Sequence, residues 1–300
     1  MRTEHTTNLL ILHLIVLVWG LTGILGQEIS LEPFILVWWR VIIAVVSIAL
    51  ISVFFKSSVK TNKAGLLRFA VVGLLTAAHW VCFFASIKYS KISVALVVLS
   101  TSAFFVSLIH PAIKGEKPKR YEMLLGLVVI LGICLIFKFE SQYSVGIILS
   151  LLAAFLAALF SAFNSRLVEI HHPTTIAFWE MIFASLGLSL FLLISGRGTE
   201  MIELPAGRDF QLLLLLGFLC TGVAFIVSIR VMRVLSPFTC ALAINMEPVY
   251  TILIALMLYG SEERMSPEFY LGGLVIISTL FVDTWIKRRK ISALAQEEYK

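Results

Sequence analysis

The amino-acid sequence predicts an all-α integral membrane protein with ten transmembrane helices, arranged as two inverted five-helix repeats. The chain has 300 residues, of which 59% are hydrophobic and only 14% are charged, and its mean hydropathy is +0.98. A soluble domain carries about 25% charged residues, so a water-soluble core cannot account for this composition. The second observation is a series of apolar runs of the roughly 20 residues that cross a bilayer. The third is a set of motifs that recurs half a chain apart.

The apolar runs define ten spans joined by short loops. Short connections place neighbouring helices antiparallel, and we expect no inserted soluble domain. The chain divides into a first five-helix repeat (1–142), a second five-helix repeat (143–290) and a cytoplasmic tail (291–300). We place the spans near residues 8–27, 33–55, 66–87, 92–113, 121–137, 144–165, 174–195, 209–230, 237–259 and 268–286.

The two halves repeat each other at nearly constant offsets. Five spans per half insert the second half into the membrane from the opposite side. Inverted repeats of this kind are typical of secondary transporters, which bind their solute near the bilayer midplane where the repeats meet. The matching residues are Pro33, Trp39 and Arg40 with Pro173, Trp179 and Glu180, 140 positions apart, and Glu116 and Gly126 with Glu263 and Gly273, 147 positions apart.

The distribution of basic residues predicts the orientation. With the N-terminus inside, 17 of the 24 Lys and Arg residues fall in cytoplasmic segments, six fall outside and Arg40 lies within a span. The positive-inside rule therefore predicts a multi-pass protein with both termini in the cytoplasm, in a plasma membrane, which for a bacterium is the inner membrane. The net charge of +6 is explained by these loops, and no nucleic-acid partner is expected.

The most central intramembrane charge is Glu247, which is followed by Pro248 and preceded by Asn245 two positions earlier. Ionisable residues inside a membrane are costly and are functional candidates by default. Proline removes a backbone donor and breaks or loosens the helix around it, and freed carbonyls beside a carboxylate favour a solute or cation site. Glu247 could then exchange a proton during transport. The alternative is a neutral, hydrogen-bonded side chain that only joins two helices.

Arg40 and Glu180 occupy matching positions in spans two and seven, each about seven residues from a span end and roughly 10 Å deep. They enter from opposite faces, so we do not expect a direct salt bridge between them. Each either extends to the nearest interface or faces the central cavity. Arg40 has the further option of an ion pair with Glu28 or Glu32 at the outer rim.

Polar and aromatic residues at mid-membrane complete the candidate site. His79 in span three is expected either to bind solute or relay protons, or to bond a neighbouring helix. The neighbouring Trp80 is expected either to stack on a flat or cationic solute or to pack in the core. Ser100 and Thr101 in span four occupy the place that Glu247 and its proline hold in span nine, so we expect the two halves to differ chemically there.

Other chemistries lack the residue patterns that they need. The run Gly20, Gly23 and Gly26 resembles a phosphate loop, but the strand that such a loop follows is missing, and close helix packing is the better interpretation. We predict no catalytic residues, no metal site and no cofactor.

Five motifs occur in order along the chain: Val18-Trp19-Gly20, Trp39-Arg40, Gly115-Glu116 through Gly126, Glu247-Pro248, and Glu262-Glu263-Arg264 through Gly273. With these motifs, the sequence resembles the EamA-type members of the drug/metabolite transporter (DMT) superfamily over nearly the whole chain. The first half departs from the pattern because Thr101 stands where a proline is expected. The second half lacks the Trp-Gly pair and has Leu159-Phe160 instead.

The resemblance implies a carrier of small metabolites, often an exporter, with its cavity between spans three, four, eight and nine. Its implied substrates are an amino acid, a related metabolite or an organic cation. We therefore predict a secondary transporter working by alternating access and coupled to a proton or solute gradient. Its expected partners are a small-molecule solute and the lipid bilayer. The sequence leaves open whether the protein forms a homodimer. The alternatives are a non-transporting membrane sensor or assembly protein, and an intramembrane enzyme.

Overall fold

The computed structural model describes residues 2–115, 117, 120–205, 207–231 and 246–297. All regular elements in these ranges are helical. The first half contains α1 (Arg2–Glu28), α2 (Pro33–Phe54), α3 (Lys63–Lys88), α4 (Ile92–Leu99), α5 (Ser102–Lys114) and α6 (Arg120–Phe139). The second half contains α7 (Ser144–Ile170), α8 (Pro173–Ile194), α9 (Gly207–Leu214), a π-helical segment (Leu215–Val223), α10 (Ala224–Val231), α11 (Glu247–Tyr259) and α12 (Pro267–Glu297).

Seven stretches of the described residues are long and apolar enough to cross a membrane, and Leu124–Phe139 is a shorter apolar helix. The seven stretches and this shorter helix together correspond to the first eight predicted spans. The ninth predicted span (237–259) lies partly outside the described residues, and α11 forms its second part. The tenth (268–286) falls within α12. The seven stretches are Thr6–Glu28, Pro33–Phe54, Lys63–Lys88, Ile92–Ile113, Ser141–Ile170, Pro173–Ile194 and Gly207–Ser228.

The same device begins the second helix of each half. Pro33 opens α2, and the carboxylate of Glu32 accepts a hydrogen bond from the Phe34 amide at 3.1 Å. Pro173 opens α8, and the His172 ring accepts one from the Thr174 amide at 3.3 Å. Proline suits the first turn because its missing N–H would have no helical partner there. The repeat at an offset of 140 is therefore a repeat of helix starts.

The centre of the bundle forms where α3 packs along α7 and α8, and where α2 packs against α8 and the π-helical segment. α3 and α7 run antiparallel, since Phe69 contacts His171 at one end and His79 bonds to Ala153 nearer the other. At Gly73, an added Cβ would overlap the backbone of Glu180 on α8. This close approach leaves no room for lipid or water between α3 and α8 at that level.

The glycines of α1 pack closely against its neighbours, as the sequence predicts. A Cβ on Gly20 would lie 2.5 Å from the Thr251 hydroxyl on α11, and one on Gly26 would overlap the ring of Phe84 on α3. Small residues allow membrane helices this close approach. α1 therefore contacts helices of both halves.

The fourth predicted span is two helices rather than one continuous helix. α4 ends at Leu99 and α5 begins at Ser102. The Thr101 amide bonds to the Val98 carbonyl at 3.1 Å, and the Phe104 amide bonds to the Thr101 carbonyl at 3.0 Å. Both bonds reach three residues back, which tightens the chain locally and leaves the Ser100 carbonyl without its helical partner.

Candidate solute-binding site

Arg40 lies in the interior and does not extend to either membrane surface. Its side chain is only 3% exposed. Its Nε donates to the Thr221 hydroxyl at 2.7 Å, and its guanidinium carbon lies 4.0 Å from the ring centroid of Trp80. Its Nη1 is buried and makes no hydrogen bond. The guanidinium is therefore hydrogen-bonded through Nε and covered on one face by Trp80, whereas its Nη1 donor has no partner.

The Thr221 acceptor belongs to the π-helical segment Leu215–Val223. Its own hydroxyl donates to the Leu216 carbonyl, five residues back, at 2.9 Å. This segment packs tightly on α2, because a Cβ on Gly217 would lie 2.9 Å from the Arg40 carbonyl oxygen. π-Helical turns inside α-helices are rare and are frequent at functional sites. Here the segment brings a hydroxyl of the second half to a guanidinium of the first.

Glu247 is the first residue of α11 and is only partly exposed. It lies within electrostatic reach of Arg40, although no ion pair joins the two side chains. Pro248 stands in the first turn of α11, where proline costs no helical hydrogen bond. It therefore marks the start of this helix. Asn245 lies outside the described residues.

His79 and Trp80 bring α3 into the same cluster. His79 is buried and its Nδ1 lies 2.8 Å from the carbonyl oxygen of Ala153 on α7. A carbonyl only accepts, so Nδ1 carries a hydrogen and Nε2 is the acceptor of the neutral ring. Arg40 is also within electrostatic reach of His79. The second expectation for His79, a bond to a neighbouring helix, is the one observed, and the Trp80 ring stacks on Arg40.

Ser100 and Thr101 are buried at the break between α4 and α5, and their hydroxyls are satisfied locally. Ser100 donates to the Val97 carbonyl at 2.6 Å and Thr101 to the Val98 carbonyl at 2.7 Å. Within the described residues, neither contacts Arg40. Glu247 holds the equivalent position, 147 residues later, and a helix begins there too.

Glu180 is fully buried, so the expectation that it extends to an interface is wrong. Its exposure is 0%, and one carboxylate oxygen accepts a hydrogen bond from the Asn164 amide at 3.2 Å. The other oxygen, Oε1, and the Asn164 carbonyl oxygen are buried without partners. Glu180 therefore lies apart from the Arg40 cluster, in a junction of α3, α7 and α8.

The alternative pairing of Arg40 with Glu28 or Glu32 is also wrong, because both carboxylates bind arginines of the second half. Glu28 pairs with Arg208, and Glu32 pairs with Arg197 at 3.0 Å. Arg197 also donates twice to Glu200, and these bonds lower the pKa of the Glu200 carboxyl. The rim ion pairs therefore join the end of α1 to the start of α9, and the start of α2 to the loop after α8.

Sequence reasoning missed three polar groups that the structure shows to be important. Thr221 and Asn164 were overlooked because neutral polar residues are common in membrane helices. Glu263 was noted only as part of a motif. Its carboxylate accepts from the amides of Ile92 at 3.2 Å and Ser93 at 3.1 Å, which caps α4. Its match with Glu116, 147 positions earlier, was the one available signal.

Two cavities lie away from the Arg40 cluster. One of about 870 Å³ opens between α3 and α7, and one of about 580 Å³ lies between α2 and the π-helical segment. Neither is lined by Arg40, Trp80 or Glu247. The polar cluster is therefore separate from both of these cavities.

The sequence pattern of one family, described as the EamA-like transporter family, matches residues 6–138 and again 144–284. The chain belongs to the EamA-like transporter family. The two matches cover most of both halves. Together with the apolar helices, they make the protein a multi-pass integral membrane protein of a transporter family rather than of an enzyme family, as the sequence resemblance predicted.

Named relatives agree with this membership. An uncharacterized transporter of Archaeoglobus fulgidus is 25% identical over 287 residues, which cover 92% of this chain and 96% of that protein. The pseudopaline exporter CntI of Pseudomonas aeruginosa is 29% identical over 164 residues, 54% of this chain and 56% of the exporter. A solved crystal structure shares the fold with a TM-score of 0.66 at 16% identity, covering 96% of this chain and all of that one.

Proposed function

We propose that the protein is a secondary transporter that exports a small metabolite by alternating access, driven by a proton or solute gradient. The observation that carries the proposal is the buried Arg40 cluster. Arg40 and Trp80 belong to the first half, whereas Thr221 and Glu247 belong to the second. A site shared between two halves changes its access when the halves rock against each other. The transporter names of the relatives support the same function.

The proposed architecture is ten spans in two inverted repeats, with both termini cytoplasmic in a plasma membrane. The repeated helix starts at Pro33 and Pro173 support this arrangement. So does the interruption at Ser100, since α11 begins at the equivalent Glu247. An interrupted helix is a usual pointer to a transporter's binding site.

Arg40 is proposed as the solute anchor. Its Nη1 is a buried donor without a partner, and such a donor is costly unless a ligand satisfies it. Trp80 covers one face of the guanidinium and restricts its orientation. Glu247 lies near enough to sense the charge of Arg40 but does not neutralise it through an ion pair.

Glu247 is proposed as the coupling carboxyl, with Glu180 as a second candidate. Glu247 is partly exposed, so a proton or solute can reach it when the site opens. Glu180 is fully buried and bonded to the neutral Asn164, so protons reach it only through a rearrangement of α3, α7 and α8. Accessibility therefore favours Glu247.

The rim ion pairs are proposed to close the outer side of the site. Glu28–Arg208 and Glu32–Arg197 join the two halves at one end of the bundle. In alternating access these contacts have to break when the outer side opens. Surface ion pairs contribute only about 0–1 kcal/mol each, which is small enough to break in every cycle.

The test is solute flux in proteoliposomes, measured with and without a pH gradient across a broad metabolite panel. We expect at least one solute to move, and we expect Glu247→Gln to abolish its flux or its dependence on the gradient. Glu203→Gln is the matched control, because Glu203 is an exposed loop carboxyl. Unchanged gradient-driven flux in Glu247→Gln would remove Glu247 from the coupling role. A panel in which nothing moves would contradict the transporter proposal itself.

A further inference from the structure

A groove with a volume of about 870 Å³ lies between α3 and α7. It lies where α3 begins and α7 ends. Its apolar walls include Leu67, Val71, Phe163 and Ile170, all of which are exposed. Ligand pockets commonly measure about 300–1,000 Å³, so the groove has the size of a binding site.

Two arginines occupy this groove together with one acid. Arg68 comes from α3 and Arg166 from α7, and both are exposed. Within the described ranges, no hydrogen bond or ion pair engages either guanidinium, and Glu169, the acid in the lining, pairs with neither. The groove therefore combines a net positive charge with an apolar surface.

A second groove shows what the arginines add. It lies between α2 and the π-helical segment, measures about 580 Å³, and is lined by apolar side chains such as Ile42, Val46 and Phe218, with Ser47 as the polar residue. Such a surface accommodates an acyl chain of any lipid. It has no charge with which to select a headgroup, so of these two grooves only the α3–α7 groove can distinguish between headgroups.

We propose that the α3–α7 groove is a binding site for an anionic phospholipid, with the headgroup phosphate on Arg68 and Arg166 and an acyl chain along Val71 and Phe163. Guanidinium groups bind phosphate through paired hydrogen bonds. In the proposed orientation this end of the bundle is cytoplasmic, and basic pockets between membrane helices on that side favour anionic headgroups. The placement rests on the proposed orientation, whereas the groove and its charges do not.

The bound lipid would link α3 to α7 at the end opposite the rim ion pairs. α3 carries His79 and Trp80 of the candidate solute site, and α7 supplies the carbonyl that bonds His79. An anionic lipid at this position therefore stabilises the helix pair on which the solute site is built. Bilayer composition would then affect the stability of the protein directly.

The test is lipid retention by the full-length protein, measured by native mass spectrometry after exchange into detergent with phosphatidylglycerol or phosphatidylcholine. We expect wild-type protein to retain phosphatidylglycerol preferentially. Each arginine near a charged headgroup contributes about fivefold in affinity, so Arg68→Gln with Arg166→Gln should weaken retention roughly thirtyfold. The charge-preserving Val71→Trp should weaken it by filling the apolar wall.

The matched control is Lys60→Gln with Arg230→Gln, which removes two exposed charges outside the groove on the same proposed side. We expect it to retain phosphatidylglycerol like wild type. Equal retention of both lipids, or an equal loss in the control, would overturn the proposal. So would competition by inorganic phosphate combined with no effect of Val71→Trp, which would indicate a simple anion site. If the double arginine variant does not fold, Val71→Trp and the comparison of the two lipids still test whether the groove binds an anionic phospholipid. None of these measurements depends on solute flux.

Discussion

The hydrogen bond between Arg40 and Thr221 is the contact whose removal gives the sharpest prediction. In Thr221→Val the side chain keeps its shape but loses the oxygen that accepts from Arg40 Nε at 2.7 Å. Arg40 is 3% exposed and its Nη1 is already without a partner. Water therefore cannot replace the lost acceptor, and a second donor of the same guanidinium is left unsatisfied.

The expected cost follows from these contacts. A hydrogen bond to a charged group contributes about 1.5–3 kcal/mol. For a domain of 150–250 residues, 1 kcal/mol shifts the melting temperature by about 2–4 °C, so we expect Thr221→Val to lower it by roughly 3–12 °C. Thr221→Ser keeps the hydroxyl and its bonds to Arg40 and Leu216, and is expected to melt close to wild type.

The assay is thermal unfolding of the purified protein, followed by tryptophan fluorescence. Trp80 lies against the guanidinium and reports on the cluster itself. Solute flux in proteoliposomes is expected to fall in Thr221→Val and to persist in Thr221→Ser. Equal melting temperatures and equal flux for the two variants would refute the inference that Thr221 positions Arg40.

The remaining predictions concern the buried carboxyl, the helix crossing and the cap of α4. Glu180→Gln should melt within a few degrees of wild type, whereas Glu180→Ala should lose about 1–3 kcal/mol because it leaves the Asn164 amide unpaired. An equal cost for both would contradict a stabilising role for the hydrogen bond between Asn164 and Glu180. Gly73→Val should prevent stable folding, since even a Cβ overlaps the Glu180 backbone. Gly196→Val, in open space at a positive φ, should lower the stability of the protein far less. A normal yield of folded Gly73→Val would be inconsistent with the close contact of α3 and α8. Glu263→Gln should destabilise the protein by about 1 kcal/mol in thermal unfolding, because it weakens the cap on two α4 amides; an unchanged melting temperature would show that the cap contributes nothing.

Much of the site was predictable residue by residue. Arg40, His79 and Glu247 were singled out because polar groups inside a membrane are costly, and Trp80 because its ring can stack on a solute. The structure brings these four residues together. Their partners were not predictable. Arg40 has an oxygen of Thr221 as its partner, 181 positions away, and nothing in the local pattern connects the two.

The surroundings of Glu180 were not predictable from the sequence either. Its distance from Pro173 predicts its depth in the span, but depth does not tell which way a side chain faces. A rotation of about 100° per residue around the helix decides whether it meets lipid, the cavity or a neighbouring helix. In the structure, the close contact of α3 with α8 at Gly73 places Glu180 between packed helices.

The sequence by itself determined what depends on composition and on local chemistry. The excess of apolar residues requires a membrane, and Pro33 and Pro173 begin matching helices because proline belongs in a first turn. Only the tertiary structure decided the break of span four, the π-helical segment and the partner of Arg40. These features depend on the rotation and separation of helices distant in sequence, and in a membrane those are set by packing between side chains rather than by the apolar pattern along each helix.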